Sequence, residues 1–498
     1  MRMIVKMQKH RLNQIIYCIG LCFFWACTGN LTIDENLNET PHIFPDYTDV
    51  TIPVNIAPLH FKLADSCDYS DAYAIFETVT EQVKVKAREK QIAIGESAWK
   101  KLMESAQGDA IEVKIVTKTE EKWVAYKPFQ FFVSADRVDP YIAYRLIEPG
   151  YETWNEMGIY QRNVETFDQT EIATNKTMDY NCVNCHSFCM QSPDTMLFHI
   201  RKDFGGTFVM RGNKIEKLNT KTPETMSPLV YPSWHPSGNF VAFSVNSTKQ
   251  MFHTTDRNRI EVFDYKSDVV IYDVDKHEIF STPELFSKSA FETFPTFSPD
   301  GKTLYFCSAD SVTIPDEYEQ VRYNLCSITF DPASRQFGEE VDTLFKASTI
   351  GKSISFPRVS PDGKFLMFTL FNYGNFSIWH RDADLYLLSL SDKTVTALDV
   401  LNSNETESYH SWSSNSRWAV FSSRRIDGLY TRPFIAHIDK NGVPSKPFLL
   451  PQDDVDYYTQ LLKSYNIPEF VKGKVKVTPY QVSQTARNVK GVDVQFKN

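Results

Sequence analysis

Three cysteines and one histidine lie within eight residues of the stretch NCVNCHSFCM, residues 181–190, although the whole chain has only nine cysteines. Cys182, Cys185 and His186 form a Cys-x-x-Cys-His string, which is the attachment signature of c-type haem. In that chemistry the two thiols bond covalently to the porphyrin and the imidazole is the proximal ligand of the iron. The motif therefore predicts one haem c, bound through Cys182 and Cys185 and ligated by His186.

Two other chemistries use the same residues. Cys182 and Cys185 have the spacing of a redox dithiol or a structural disulfide, although no thioredoxin-like βαβ unit surrounds them. Together with His186 and Cys189 they also supply four potential ligands for zinc or an iron–sulfur cluster. Structural zinc normally takes its ligands from two separated pairs, and closing the coordination sphere within eight residues strains the backbone. Both alternatives stay open beside the haem.

The N-terminus has the pattern of a secretory signal. Four basic residues precede an apolar run of twelve residues, 15–26, which as a helix reaches only about 18 Å against about 30 Å of hydrocarbon. The run ends at Ala26, Cys27, Thr28, which resembles the lipobox of bacterial lipoproteins. We therefore predict a cleaved signal over residues 1–26, lipidation of Cys27, and export as an outer-membrane lipoprotein that faces the periplasm or the cell surface.

Export changes both the charge and the cysteine chemistry. The signal carries four positive charges and no negative ones, so its removal shifts the net charge from −9 to −13. A chain this acidic repels phosphate backbones, which argues against a nucleic-acid partner. In an oxidising compartment free thiols pair or are used.

Internal repeats dominate the second half of the chain. Four copies have an aromatic residue before proline or histidine, a short strand, a turn of the Ser-Pro-Asp-Gly type, which has lost its proline and glycine in the last copy, and an alternating apolar strand. The copies are VYPSWHPSGNFVAFSV (230–245), TFPTFSPDGKTLYFCS (293–308), SFPRVSPDGKFLMFTL (355–370), SYHSWSSNSRWAVFSS (408–423) and a degenerate SFCMQSPDTMLFHIR (187–201). Their spacing suits one four-stranded antiparallel sheet per copy, which is typical of a β-propeller.

These repeats resemble the PD40 (WD40-like) repeats of TolB-like propellers, most closely in FPTFSPDGKTLYF and FPRVSPDGKFLMF. The signal, the cysteine motif and the repeats together resemble exported lipoproteins of Bacteroides-type bacteria that carry a Cys-x-x-Cys-His haem motif. The resemblance implies an all-β chain with a propeller that usually has six blades. Five copies are visible, so either strands from residues 142–164 complete a sixth blade or the ring has another number of blades. The resemblance implies no established activity.

The remaining segments give the domain organisation. Alternating apolar residues over 50–135 predict a small β-sandwich-like domain. A tether of residues 28–49 precedes it, a connector of residues 136–186 carries the cysteine motif, the propeller covers 187–450 and a tail covers 451–498.

A sixth haem ligand is sought among the histidines of the propeller. In a blade, the loop after the second strand opens on the face where the innermost strand begins, and this rule places His199, His253 and His380 near His186. His253, in the loop STKQMFHTTDRN, is the weak candidate for the sixth ligand. His410 is expected to face the central channel.

Two functions follow from these patterns. The first is a membrane-anchored propeller that carries one haem c and transfers electrons or performs haem-based redox chemistry, with an envelope protein as partner. The alternative is a non-catalytic scaffold or binding module of the cell envelope, which recognises a protein or glycan at the propeller face and in which the cysteine motif is structural or a redox dithiol. No hydrolase or phosphate-loop motif is present, so whether the chain is an enzyme stays open.

Overall fold

β-Sheets account for most of the polypeptide in a computed structural model that describes residues 32–64, 68–149 and 155–497. The predicted signal, Cys27, the start of the tether and Cys67 lie outside the described residues. Within these ranges no helix is both long and apolar enough to cross a membrane.

Six antiparallel sheets follow one another around a ring, and we call each of them a blade. From the inside outwards their strands are, in blade 1, Ser464–Val471, Tyr141–Ile147, Gly158–Asn163 and Gln169–Thr174; in blade 2, Val183–Phe188, Thr195–Ile200, Gly206–Arg211 and Lys214–Asn219; in blade 3, Val230–Trp234, Phe240–Phe252, Ile260–Asp273 and Glu278–Phe280; in blade 4, Ala290–Phe297, Thr303–Asp310, Asn324–Asp331, and then Gln336–Phe337 and Asp342–Phe345; in blade 5, Ser353–Val359, Phe365–Phe371, Asp384–Ser389 and Val395–Ala397; in blade 6, Glu407–Trp412, Trp418–Ser423, Arg432–His437 and Phe448–Leu449.

The innermost strand of every blade contacts the innermost strands of the blades on either side, so that the cycle is closed. The chain is therefore an all-β propeller, as the repeats predict. Blade 1 is built from both ends of the propeller sequence, because Ser464–Val471 pairs with Tyr141–Ile147. The propeller thus extends into the segments predicted as connector and tail, because blade 1 takes its innermost strand from the tail and its other three strands from the connector.

The end of the chain straps the outside of two blades. Val492–Asp493 adds a parallel strand to blade 2, and Gln495–Phe496 adds one to blade 3. The helix Pro479–Asn488 precedes them and begins with a capping box between Thr478 and Gln481. These strands cover edges that would otherwise be open to pairing with other chains.

One backbone irregularity recurs on the innermost strand of all six blades. At this place the pairing with the next strand shifts, and one residue has a φ between 49° and 54°, in the left-handed region. The six residues are Cys185, Tyr231, Phe294, Phe356, Tyr409 and Ile467. The residue that follows is proline in four blades and histidine, His186 or His410, in the other two. Each blade therefore contains the same β-bulge.

The side chains at these bulges fill the centre of the ring. The ring centroids of Tyr231 and Phe294 lie 4.8 Å apart, those of Phe294 and Phe356 4.1 Å, and those of Phe356 and Tyr409 4.9 Å. Phe376, from a loop of blade 5, lies within 6.5 Å of all four rings. We call these five residues the aromatic layer. It divides the central channel into a loop end, with the loops between second and third strands, and a turn end, with the Ser-Pro-Asp-Gly turns.

The N-terminal region packs against blade 6. It has a seven-stranded sheet, a three-stranded sheet and one helix, rather than two sheets of similar size. The seven strands are Glu35–Asn36, Val50–Pro53, Asp71–Glu77, Gln82–Lys86, Ala110–Thr119, Lys122–Ala125 and Phe129–Ser134, the three are Ile43–Phe44, Phe61–Leu63 and Gln91–Ile92, and the helix is Glu96–Ser105. The carboxylate of Asp139 accepts hydrogen bonds from the backbone N–H and the hydroxyl of Ser414 at 2.7 and 2.6 Å. A hydrophobic core is shared between this region and blades 1, 5 and 6.

Closure of blade 1 by the tail makes a testable prediction. Removing residues 464–498 takes away its innermost strand and opens the ring, so we expect the propeller to lose cooperative unfolding or to be destabilised by several kcal/mol. Removing only residues 491–498 leaves every innermost strand in place and is the control, with a loss of about 1–2 kcal/mol. Urea unfolding followed by tryptophan fluorescence measures both. Equal stability of the longer truncation and the full chain would contradict closure by the tail.

A second prediction concerns buried acids between blades 3 and 4. Burial raises the pKa of Glu292 to about 8 and that of Asp268 to about 7. The folded chain therefore holds protons that the unfolded chain releases, so stability should fall as the pH rises from about 4 to about 8, by a few kcal/mol. Unfolding curves at pH 5 and pH 8 should show a smaller difference for Glu292→Gln than for the parent chain. Glu104→Gln, on an exposed helix face, should leave the difference unchanged.

Candidate functional site

The cysteine motif lies on the innermost strand of blade 2. Cys182, Cys185 and His186 are 5%, 7% and 2% exposed, so none of them is open to a large cofactor from solvent. Cys185 and His186 occupy the positions that in four other blades hold an apolar residue and proline, as in Tyr231–Pro232 of blade 3. The second half of the motif therefore coincides with the propeller's own structural repeat.

The three motif side chains have different surroundings. The Asn184 side chain donates a hydrogen bond to the sulfur of Cys182 at 3.2 Å. Cys185 lies beside two members of the aromatic layer, Tyr231 and Tyr409. Burial raises the pKa of both tyrosines, and the nearby Cys185 raises each pKa further by a smaller amount. Two thiols and an imidazole can hold one porphyrin only if all three face it.

His186 faces the turn end of the channel. Its Nε2 lies 3.7 Å from Oε1 of Glu469, and neither ring nitrogen has a hydrogen-bond partner among the described residues. Burial, with a smaller contribution from Arg145, lowers its pKa to about 3, so the ring is neutral. It borders a cavity of about 130 Å³ together with Arg358 and Glu469. Pockets for drug-sized ligands run from about 300 to 1,000 Å³, and a porphyrin does not fit this one.

The conformation of the motif consequently does not suit haem c. Attachment would require Cys185 to leave its place beside the aromatic layer and His186 to turn out of the channel. Since the bulge at Cys185 is shared by all six blades, that movement would disrupt the centre of the ring. The sequence predicts a haem ligand set, whereas in this conformation Cys185 and His186 are buried residues of the β-bulge that every blade contains.

The structure also does not bring the predicted sixth ligand to His186. His253 lies at the tip of the long hairpin of blade 3, at the loop end, with its Nε2 3.7 Å from Oε2 of Glu261. His380 approaches Oε1 of the same Glu261 at 3.3 Å. The placement of His253 beside His186 is therefore wrong, because the aromatic layer lies between the loop end and the cavity that His186 borders. His410 sits at the bulge of blade 6, where its Nε2 lies 2.9 Å from the carbonyl of Met367.

The other cysteines have packing roles. The thiol of Cys189 donates to the carbonyl of His235 at 3.7 Å and packs between blades 2 and 3. Among the described residues no three His, Cys, Asp or Glu side chains form a group that could hold a metal ion, so the four-ligand zinc or iron–sulfur site is not formed. Cys307 pairs with Leu325 and Cys326 with Phe306 on adjacent strands, which points the two thiols to opposite faces of blade 4.

The loop end of the propeller carries a broad polar groove. The hairpin of blade 3 crosses this end as far as blade 5, where the Asn258 side chain accepts a hydrogen bond from the backbone N–H of Arg381 at 3.1 Å. Tyr373 also donates to Glu261 at 3.0 Å, which ties the hairpin to the same loop close to the hairpin's tip. The groove encloses about 550 Å³, and its lining comes from blades 3, 5 and 6: Thr255, Asp256, Arg257, Asn258, Asn372, Arg381, Asp382, Asp384, Ser403 and Asn404. We call it the loop-end groove.

The groove holds both signs of charge. Arg381 forms an ion pair with Glu405 at its rim. Burial, followed by repulsion from Glu407 and Asp382, raises the pKa of Asp384 to about 6. A second cavity of about 380 Å³ shares Arg257 and Arg381 with the groove. Such a surface offers hydrogen-bond donors and acceptors side by side.

Sequence reasoning missed the groove because its residues are dispersed. Asp382 and Asp384 can be noticed as a pair of acids, but their spacing does not reveal that Arg257, more than a hundred residues earlier, faces them. The unusual length of the Phe240–Phe252 and Ile260–Asp273 strands was the available signal.

No protein-family model matches this chain, and no curated protein sequence matches it. Solved structures with a similar fold include an oligogalacturonate lyase in complex with manganese, at 10% identity and a TM-score of 0.36, which covers 62% of this chain and 73% of the lyase. A prolyl endopeptidase, from a structural analysis of two such enzymes, matches at 13% identity and a TM-score of 0.34. The match covers 62% of this chain and 42% of the endopeptidase chain. These neighbours are β-propeller proteins, and the likeness concerns the fold alone.

The geometry of the motif predicts the state of its thiols. Burial raises the pKa of Cys182, and raises that of Cys189 to about 11, so both should be protonated and slow to react at neutral pH. We expect the protein, produced in cells that mature c-type cytochromes, to show no porphyrin mass on the peptide of residues 176–201, and its cysteines to be alkylated at least tenfold faster after unfolding. Mass spectrometry of native and unfolded samples measures both. A covalent porphyrin would show that blade 2 adopts another conformation.

Proposed function

We propose that this chain is an exported, lipid-anchored binding module of the cell envelope, in which the propeller is a rigid platform and the loop-end groove recognises a glycan. The observation that carries the proposal is the groove itself. Side chains from three blades line it, and its hairpin wall is held against blade 5 by Asn258. A preformed concave site with convergent polar groups is the usual form of a ligand site.

The chemistry of the lining favours a hydroxyl-rich ligand. Every sugar hydroxyl both donates and accepts a hydrogen bond, and amides, carboxylates and guanidinium groups alternate along the groove. The pair of Arg381 and Glu405 and the side chain of Asn258 hold donors and acceptors in fixed positions. The mature chain, at −13 if the signal is removed, would be repelled by strongly anionic surfaces, which favours a neutral or weakly charged glycan as the ligand of the groove.

The anchor and the compartment support the same role. Lipidation of Cys27 would place the propeller at a membrane surface, where a partner protein of the envelope could bind an exposed blade face. An electron-transfer role is the second proposal, and only the Cys-x-x-Cys-His string favours it. It would need the innermost strand of blade 2 to rearrange around a porphyrin.

Arginine substitutions at the two ends of the ring test the glycan site. Arg381→Ala should weaken glycan binding by roughly tenfold to a hundredfold, because a hydrogen bond to a charged group contributes about 1.5–3 kcal/mol. Arg417 forms a comparable pair with Asp362 at the turn end, with N and O 3.1 Å apart, so Arg417→Ala is the matched control and should bind normally.

A glycan array followed by isothermal titration calorimetry gives the measurement. The parent chain should bind at least one neutral or weakly charged glycan. Equal affinity of the two arginine variants would move the site away from the groove. Binding of no glycan on the array would overturn the proposal.

A further inference from the structure

Another cavity at the loop end lies between blades 2 and 3, away from the loop-end groove and from the 380 Å³ cavity beside it. It encloses about 650 Å³, and its walls come from the ends of strands Thr195–Ile200 and Gly206–Arg211, from strand Phe240–Phe252 and from the connection between the blades, residues 219–231. We call it the interblade cavity. Its volume lies within the range of about 300–1,000 Å³ that organic ligands occupy.

The charge of the interblade cavity is one-sided. Arg201, Lys202 and Lys221 line it, whereas no aspartate or glutamate is among its lining residues in the described part of the chain. The chain as a whole has a net charge of −9, so a cavity with only cationic side chains departs from the rest of the molecule. Such a cavity attracts anions and disfavours cations.

A buried histidine with one unpartnered ring nitrogen forms part of the wall of this space. His199 is 5% exposed and lines the cavity, and its Nε2 has no hydrogen-bond partner among the described residues. Its Nδ1 lies 2.9 Å from the hydroxyl of Thr207, which lies 3.2 Å from the hydroxyl of Thr220. The Thr220 hydroxyl in turn accepts from the backbone N–H of Leu229 at 3.3 Å.

This chain of hydrogen bonds sets the direction of the donors. When Thr220 donates to Thr207 and Thr207 donates to Nδ1 of His199, every hydroxyl hydrogen has an acceptor. In the reverse direction the hydrogen of Thr220 has no acceptor among the contacts of the described residues, and Nε2 of His199 is an unpaired acceptor as well. The first direction leaves only the N–H at Nε2 unpaired, so it is favoured. A neutral imidazole that accepts at Nδ1 carries its proton on Nε2. His199 therefore has an unpaired N–H within the wall of the cavity.

A second buried side chain presents an acceptor. The Asn246 side chain donates through Nδ2 to Asp264 at 2.7 Å, and its Oδ1 is buried without a partner among the described residues. Asn246 lines the cavity and is 8% exposed. An unsatisfied buried acceptor is costly, so a ligand with a hydroxyl or amino hydrogen at this place would be favoured. Met226 and Leu229 add an apolar wall.

We propose that the interblade cavity binds a hydroxyl-bearing organic anion, of roughly disaccharide to nucleotide size. Arg201 and Lys221 hold its carboxylate or phosphate, the N–H of His199 donates to the same anionic group, and Oδ1 of Asn246 accepts from a hydroxyl. This site is separate from the loop-end groove, and it stands whether or not the groove binds a glycan.

Matched anionic and neutral probes test this proposal. Lactobionate and lactitol share an open-chain unit and differ only in a carboxylate in place of a CH2OH group, and adenosine monophosphate and adenosine differ in the phosphate. Isothermal titration calorimetry with the folded mature chain should show binding of at least one of the two anions. The neutral partner of that anion should bind at least tenfold more weakly. Binding of neither anion at millimolar concentration, or equal binding of the neutral partners, would overturn the proposal.

Variants locate the site. Arg201→Gln combined with Lys221→Gln changes two exposed side chains and should lower the affinity for the anion at least tenfold, whereas Lys302→Gln, an exposed lysine of a turn-end loop, should not. His199→Gln should also weaken binding, and circular dichroism confirms that it folds. An unchanged affinity in the Arg201 and Lys221 double variant would overturn the proposal. Arg381→Ala, in the loop-end groove, should leave binding of this anion unchanged, which separates the two sites.

Discussion

The left-handed residue on each innermost strand is the constraint on which the rest of the structure depends. A non-glycine residue in that conformation costs on the order of 1–2 kcal/mol. Here the bulge turns an apolar side chain towards the axis, where Phe294 and Phe356 meet with their centroids 4.1 Å apart. Burying an aromatic side chain contributes about 1.5–3 kcal/mol, which offsets the strain. Strain and aromatic packing thus occur together at the bulges of blades 3 to 6.

The same coupling explains why part of the Cys-x-x-Cys-His string is buried in the propeller. In blade 2 the bulge residue is Cys185 and the residue after it is His186. The equivalent residues of blade 6 are Tyr409 and His410. His186 and His410 both replace the proline of the other copies, and burial lowers the pKa of each to about 3. Both rings are neutral, but His186 borders the turn-end cavity whereas His410 bonds to the carbonyl of Met367 in blade 5. Their chemistry is that of buried polar groups, not of exposed ligands.

The two ends of the ring have different capacities for binding. At the turn end the short turns leave a cavity of about 130 Å³ beside Arg358 and Glu469, which holds a few water molecules at most. At the loop end the connections are longer, and they enclose the loop-end groove and the interblade cavity. Loops on a rigid scaffold are where binding sites are usually found, because they vary without disturbing the core. Both proposed sites accordingly lie at this end.

The sequence by itself determined the class of fold, because alternating apolar strands and Ser-Pro-Asp-Gly turns are local signals that survive in each copy. It could not show that YNIPEF, residues 465–470, is the missing innermost strand, since that role depends on pairing with Tyr141–Ile147 more than three hundred residues earlier. It also could not decide the chemistry of Cys185 and His186. The covalent pattern of a motif is local, but the direction in which its side chains point is set by the ring that packs around them. Only the tertiary structure places those side chains inside the wall of the channel.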